Sequence, residues 1–190
     1  HQPVEHIPSL RIIPNLDVWR PADATETAIA WTAAVDRQNG PSLLALSRQN
    51  LPTVTQNVAD ADIAKGGYVL SECAGEAQIT FIATGSEIKL ALDAQAALAG
   101  EGIATRVVSM PCTNVFDRQS AEYKASVLGG CKKRIAIEAA HPDFWRKYVG
   151  LHGAVIGIDR FGESAPAGQL FEMFGFTVAN VVKTAKALLS

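Results

Sequence analysis

The chain has 190 residues, a mass of 20.2 kDa and a net charge of −2, from 19 acidic and 17 basic side chains. Hydrophobic residues make up 48% of it and charged residues 19%, a balance that excludes intrinsic disorder. No apolar run approaches the roughly 18 residues of a membrane span. The cationic cluster Lys132-Lys133-Arg134 is too short for a nucleic-acid interface. We therefore expect one or two globular domains, with neither a membrane nor a nucleic acid as partner.

The cysteines and the first residues indicate the cellular setting. Cys73, Cys112 and Cys131 are odd in number and match neither zinc-ligand nor redox-pair spacing, which predicts free thiols in a reducing cytoplasm. The chain opens at His1 without the basic-then-apolar start of a secretory signal. It also lacks an initiator methionine, so we expect it to be a piece of a longer protein.

The first 50 residues predict a strand, a helix and a second strand. Leu16–Arg20 alternates apolar and polar residues and is typical of a half-buried strand. Ser42–Ser47 has the apolar centre of a strand in a parallel sheet covered on both faces. Asp23 or Thr25 begins the intervening helix, which ends near Gln38. Its predicted inward stripe comprises Ala28, Trp31 and Val35. Two strands are too few for an independent sheet, so this is a partial α/β unit.

The rest of the chain predicts a more complete unit. Residues 51–67 have the composition of a linker with a helical turn near Ala59–Ala64. Strands and helices then alternate to the end of the chain. The predicted strands are Ile79–Ala83, Ala104–Ser109, Arg134–Glu138 and Ala154–Ile158. This alternation predicts an α/β fold with a mostly parallel open sheet and helices on both faces.

Three features at the carboxyl ends of predicted strands are candidates for chemistry, because open α/β sheets bind ligands there. Arg48 follows a strand, and its planar guanidinium fits a phosphate or a carboxylate, but equally a helix end or an interface. Glu138 is a candidate acid or base, although a capping or interface role is favoured. The turn Ala83–Glu87 has backbone amides for an anion, yet it lacks the glycines of a dinucleotide motif and is explained by helix capping.

Phrases spread along the whole chain resemble the C-terminal part of a transketolase. They are HQPVE (His1–Glu5), WRPAD (Trp19–Asp23), LSRQNLP (Leu46–Pro52), KGGYVL (Lys65–Leu70), IATGSE (Ile82–Glu87), RVVSMP (Arg106–Pro111) and FGESAP with FEMFGFT (Phe161–Thr177). The resemblance implies that residues 1–66 are the tail of the thiamine pyrimidine-binding domain. Residues 67–190 would form the transketolase C-terminal domain.

The resemblance also implies a function for the longer protein. Such a protein is a cytoplasmic, homodimeric transferase of the pentose phosphate pathway. It moves a two-carbon ketol unit from a ketose phosphate to an aldose phosphate, using thiamine diphosphate and Mg²⁺ or Ca²⁺. The histidine of HQP, which contacts the donor sugar, maps onto His1. The arginine of LSRQN, which binds the substrate's phosphate, maps onto Arg48.

The parts of the family's site that bind the cofactor have no counterpart in this sequence. We therefore expect no catalytic, cofactor-binding or metal-binding residue here, and an isolated chain that binds no cofactor and is inactive. One alternative is a catalytically silent folding or dimerisation module. Another is a partner subunit of a related thiamine-dependent enzyme, such as a ketoacid dehydrogenase or a synthase of the same fold.

Overall fold

A computed structural model describes residues 2–190, which contain two sheets. The first sheet has two parallel strands, β1 (Asp17–Trp19) and β2 (Ser42–Leu44). Helix α1 (His6–Arg11) precedes β1, and α2 (Ala24–Asp36) connects the two strands. Asp23 caps α2 by accepting a hydrogen bond from the backbone N–H of Glu26, as a helix start requires.

The second sheet has five strands in the order β3-β5-β4-β6-β7. They are β3 (Tyr68–Ser71), β4 (Ile79–Ala83), β5 (Thr105–Ser109), β6 (Arg134–Ile137) and β7 (Ala154–Ile156). Neighbouring strands from β5 to β7 pair in parallel, whereas β3 pairs antiparallel with β5 at the edge. All five residues of β4 are buried, as expected for a strand covered on both faces.

Helices cover both faces of this sheet. Alternate β4 side chains point to opposite sides, so Phe81 packs in a core with α4 (Ile88–Ala99) and α9 (Val178–Leu189), and Ile82 packs in the opposite core. The opposite core is completed by α5 (Thr113–Asp117), α6 (Ala121–Leu128) and α7 (Arg146–Val149). The short helices α3 (Asp60–Ile63) and α8 (Ala167–Met173) lie in the connecting segments. The predicted α/β fold class is confirmed.

Three expectations for the secondary structure and its burial were wrong. In α2, the stripe of Ala28, Trp31 and Val35 is exposed, and the buried side chains are Glu26 and Ala30. Strand β2 is half-buried, at the edge of a sheet that has two strands within residues 2–190. Strand β1 is buried throughout because helix α5 packs on it. Strand β3 was not predicted at all.

Within residues 2–190, the model contains no helix long and apolar enough to cross a membrane.

Candidate functional site

Two arginines from the first unit, which contains the two-stranded sheet, contact side chains at the carboxyl ends of the strands of the five-stranded sheet, which belongs to the second unit. Arg11 donates two hydrogen bonds to the Glu138 carboxylate, with N–O distances of 2.7 and 2.8 Å. Arg20 donates to Glu87 and, at 3.4 Å, to Glu138. Trp145 Nε1 donates to Glu138 at 2.7 Å. We call Arg11, Arg20, Glu87 and Glu138 the charge cluster; both carboxylates and Arg11 are fully buried.

The charges in this cluster stabilise one another. Burial works to raise the pKa of Glu138, but the charges of Arg11 and Arg20 and the hydrogen bonds from Arg11 and Trp145 outweigh it, so the pKa is lowered. Burial works against the charge of Arg20, yet Glu87 and Glu138 raise its pKa overall. Glu138 is therefore an ionised interface carboxylate. This geometry favours the interface interpretation over the acid–base one.

The side chain of Arg20 packs against the backbone of the turn that follows β4. Gly85 has a φ of 58°, and a Cβ added there would lie 3.0 Å from the Arg20 guanidinium carbon. Arg20 also donates to the carbonyl of Thr84 at 3.0 Å, and the Ala139 N–H donates to Glu87 at 3.0 Å. The close approach explains the glycine, since a larger residue would be both strained and crowded. The backbone at this turn thus contacts a cation.

Glu26 is a third buried carboxylate at the junction where the first unit packs against the second sheet. Glu26 accepts hydrogen bonds from Tyr68 Oη at 2.7 Å, from Ser109 Oγ at 2.5 Å and from the Ala22 N–H at 2.6 Å. No ion pair to Glu26 is present within residues 2–190. Burial raises the pKa of Glu26, and the hydrogen bonds from Ser109, Tyr68 and Ala22 offset this only in part.

The structure places Arg48 on an exposed loop that leaves the carboxyl end of β2. The next residue, Gln49, lines a cavity of about 270 Å³ together with Pro3, Ser86 and Glu163. The phrases HQPVE, LSRQNLP, IATGSE and FGESAP therefore meet at one cavity. Sequence reasoning did not predict this convergence, because no local pattern reports contacts between segments so far apart.

His1, the other predicted site residue, lies outside the described residues. Its neighbours are described: the Gly162 N–H donates to the Gln2 carbonyl at 2.7 Å, and the His141 N–H donates to the Val4 carbonyl at 2.9 Å. The segment that follows His1 is thus hydrogen-bonded to the second unit on both sides of Pro3.

The resemblance implies a metal in the longer protein, so the metal-ligating side chains of the described residues bear on it. Residues 2–190 contain no group of three or more His, Cys, Asp or Glu side chains that could hold a metal ion. The buried carboxylates Glu26, Glu87 and Glu138 are already occupied by hydrogen bonds at the junction. These three carboxylates are therefore not free to hold a metal ion.

Two protein-family models match this chain, and together they cover most of its length. Residues 1–54 match the model of the transketolase pyrimidine-binding domain. Residues 66–177, more than half of the chain, match that of the transketolase-like C-terminal domain. The chain belongs to the transketolase family. The resemblance stated from the sequence phrases is thereby confirmed.

Individual relatives agree with this assignment. Transketolase 2 of Aliivibrio fischeri is 55% identical over 192 residues, which cover 100% of this chain and 29% of the relative. A mutant transketolase of Pichia stipitis, in a structure described as a complex with xylulose 5-phosphate, superposes with a TM-score of 0.91. The two sequences are 41% identical, and the superposed region covers 100% of this chain and 27% of the Pichia stipitis chain. A split-gene transketolase, described as an inactive β4 tetramer, superposes with a TM-score of 0.80 at 27% identity. The superposed region covers 100% of this chain and 62% of the split-gene chain.

The chain thus spans less than a third of the curated transketolase named above.

Proposed function

We propose that this chain is the C-terminal part of a transketolase. The complete protein transfers a two-carbon ketol unit from a ketose phosphate to an aldose phosphate, using thiamine diphosphate and Mg²⁺ or Ca²⁺. It works in the cytoplasm, in the pentose phosphate pathway, as a homodimer. Residues 1–66 are the tail of its pyrimidine-binding domain, and residues 67–190 are its C-terminal domain.

The exposed position of Arg48 is the observation that carries this proposal. The residue follows a parallel strand at its carboxyl end, where open α/β sheets bind ligands. No carboxylate within residues 2–190 pairs with Arg48, so its guanidinium is available to an anion. A planar guanidinium binds phosphate through two parallel hydrogen bonds. The match of this chain to transketolases over its whole length supports a sugar phosphate as that anion.

Arg48 binds the terminal phosphate of the substrate, and His1 contacts the donor sugar near the reacting carbons. A remote phosphate contact is made equally in the ground state and the transition state, so it improves substrate binding without changing the chemical step. In this proposal, thiamine diphosphate and the metal are held by residues outside this chain. The chain by itself is inactive.

Arg48→Ala in the complete enzyme tests this role. We expect KM for a phosphorylated acceptor aldose to rise by about a hundredfold with kcat little changed, because a charge-assisted phosphate contact is lost. KM for an unphosphorylated acceptor should stay within about twofold of its original value. Equal losses for the two acceptors would show that Arg48 does not bind the phosphate. Arg146→Ala, which removes an exposed arginine paired with Asp143, is the matched control.

The alternative is a catalytically silent folding or dimerisation module. The charge cluster favours it, because a buried junction of this kind holds two units together without needing a ligand. The split-gene relative, a separate polypeptide described as an inactive tetramer, supports it as well. The Arg48→Ala kinetics in the complete enzyme separate the two candidates, because only the transketolase proposal gives Arg48 a substrate to bind. Titrating the 190-residue chain with thiamine diphosphate and Mg²⁺ tests what the candidates share, since neither predicts binding. Binding to the isolated chain would contradict both the module and the proposed location of the cofactor site.

A further inference from the structure

Asp23 uses its two carboxylate oxygens for two separate tasks. Oδ1 accepts a hydrogen bond from the Glu26 N–H at 3.0 Å and so caps helix α2. Oδ2 accepts three hydrogen bonds from the segment after the LSRQNLP phrase: from the Val54 N–H at 2.9 Å, the Thr55 N–H at 3.1 Å and Thr55 Oγ1 at 2.7 Å. Asp23 is buried, and helix capping requires only one of its oxygens. The second oxygen therefore has a different task.

That task is to hold one end of the loop that carries Arg48. The other end is held where the Ala45 N–H donates to the Trp19 carbonyl at 2.8 Å. Residues 46–53 lie between these two anchors and make no other hydrogen bond within residues 2–190. Both anchors belong to the phrase Trp19–Asp23, so the position of this loop depends on that one short segment.

The anchoring segment is itself fixed to the second sheet. The Arg20 N–H donates to the Pro111 carbonyl at 2.7 Å, and Thr84 Oγ1 donates to the Arg20 carbonyl at 2.9 Å. The guanidinium of Arg20 is part of the charge cluster. A loop tied to this segment is therefore tied to the core of the molecule and not to another mobile loop.

We propose that Asp23 is a positioning residue for Arg48: its Oδ2 atom holds the loop 46–53 in the conformation that binds the substrate's phosphate. This proposal rests on the phosphate-binding role proposed for Arg48. An anchored loop does not have to be ordered when the phosphate arrives, so the entropic cost of binding is lower. A released loop would adopt the phosphate-binding conformation for only part of the time. The apparent affinity for the phosphate would then be lower in proportion to that fraction.

Asp23→Asn tests the proposal in the complete enzyme, because an asparagine keeps one oxygen for the helix cap and loses the acceptor for the loop. We expect KM for a phosphorylated acceptor to rise about tenfold, with kcat and the KM for an unphosphorylated acceptor within about twofold. Thr55→Val, which removes one of the three hydrogen bonds, should raise the same KM less, and Thr55→Ser should restore it. Asp17→Asn is the matched control: Asp17 is a buried carboxylate of the same unit that pairs with Arg37 and Arg118 and does not touch the loop.

The double variant of Asp23→Asn with Arg48→Ala separates positioning from general damage. Since Asp23 acts through Arg48, the double variant should be no worse than Arg48→Ala alone for the phosphorylated acceptor. Additive losses, or equal losses for both kinds of acceptor in Asp23→Asn, would overturn the proposal for Asp23 while the role of Arg48 stands. If Arg48→Ala itself affects both acceptors equally, the proposed phosphate site fails, and the positioning role fails with it.

Amide hydrogen exchange on the 190-residue chain gives a second measurement. In Asp23→Asn we expect the amides of Val54 and Thr55 to exchange faster while the Glu26 amide stays protected. Unchanged protection of Val54 and Thr55 in Asp23→Ala, which removes both oxygens, would show that Asp23 does not hold the loop and would overturn the proposal.

Discussion

Glu138 and Glu26 are both fully buried where the two units of the molecule meet, yet their pKa values move in opposite directions. Glu138 faces two arginines and a tryptophan N–H, and its pKa is lowered. Within residues 2–190, Glu26 pairs with no cation: it accepts from two hydroxyl groups and one backbone N–H, and burial together with the nearby charge of Asp23 raises its pKa. Burial acts on the two groups alike, so the difference comes from the cations.

The comparison shows what each carboxylate contributes to the junction. Removing one member of a buried, balanced cluster leaves the opposite charge unpaired in the protein interior, which is strongly destabilising. A buried carboxylate that has only hydrogen-bond donors carries an uncompensated desolvation cost when ionised. Glu138 is thus expected to hold the two units together through its charge, whereas Glu26 is expected to do so through its hydrogen bonds.

Glu138→Ala should have the largest effect. It leaves Arg11 and Arg20 buried without their shared carboxylate and opens a cavity, so we expect the free energy of unfolding to fall by about 3–5 kcal/mol. Urea unfolding followed by tryptophan fluorescence, to which Trp145 beside Glu138 contributes, measures it. A loss below about 1 kcal/mol would mean that solvent reaches the cluster and that the balance of charges is not what stabilises the junction.

How far the sequence predicted this junction depends on the range of the contacts. Strand β4 was predicted at its exact bounds, and β5, β6 and β7 start or end within two residues of prediction, because buried parallel strands have a local apolar signal. The partners of Glu138 have no such signal: Arg11 lies 127 residues away in the chain. The sequence could place Glu138 at the end of a strand but could not show which cation it meets.

Two of the differences between the predicted and observed fold, in helix α2 and strand β3, also depend on contacts that are distant in the sequence. Helix α2 buries the side with Ala30 because Trp19 and Cys112 pack there, and residue 112 belongs to the second unit. Strand β3 is recognised only through its pairing with β5, since its four residues, Tyr-Val-Leu-Ser, lack the alternation that predicted β1. The sequence predicted Arg48 just beyond a strand because the apolar run Ser42–Ser47 precedes it. The strand itself ends at Leu44, so Arg48 lies on the loop that follows. The hydrogen bonds from this loop to Asp23 had no local signal and were not predicted.

A matched pair of isosteric variants sharpens the comparison between the two carboxylates. Glu26→Gln keeps its contacts, since the amide can accept from the Ala22 N–H and donate to the hydroxyls of Tyr68 and Ser109. A raised pKa means that the stability contributed by the protonated Glu26 carboxyl is present below the unfolded pKa and lost as pH rises through the folded one. Glu26→Gln should therefore become more stable relative to the original protein as pH rises above the pKa of an unfolded glutamate.

Glu138→Gln should show the opposite slope. A lowered pKa gives stability that is present above the unfolded pKa and lost as pH falls through the folded one, so the damage caused by this variant should shrink toward low pH. Unfolding free energies of both variants and the original chain across the same pH range measure the two slopes. Slopes of the same sign would contradict the assignment of opposite pKa directions at the junction.

The smallest effect is expected where an ion pair lies outside the junction. Lys186 on α9 pairs with Glu101, and both side chains are about half exposed, at 48% and 45%. Water and salt screen such a pair, and both side chains lose conformational freedom when they pair, so Lys186→Ala should change the free energy of unfolding by less than about 0.5 kcal/mol. The same urea titration measures it, with Glu101→Ala as the matched control. A loss of unfolding free energy close to that of Glu138→Ala would show that burial does not decide how much an ion pair contributes to the stability of this protein. The contrast between Glu138 and Glu26 would then need a cause other than desolvation.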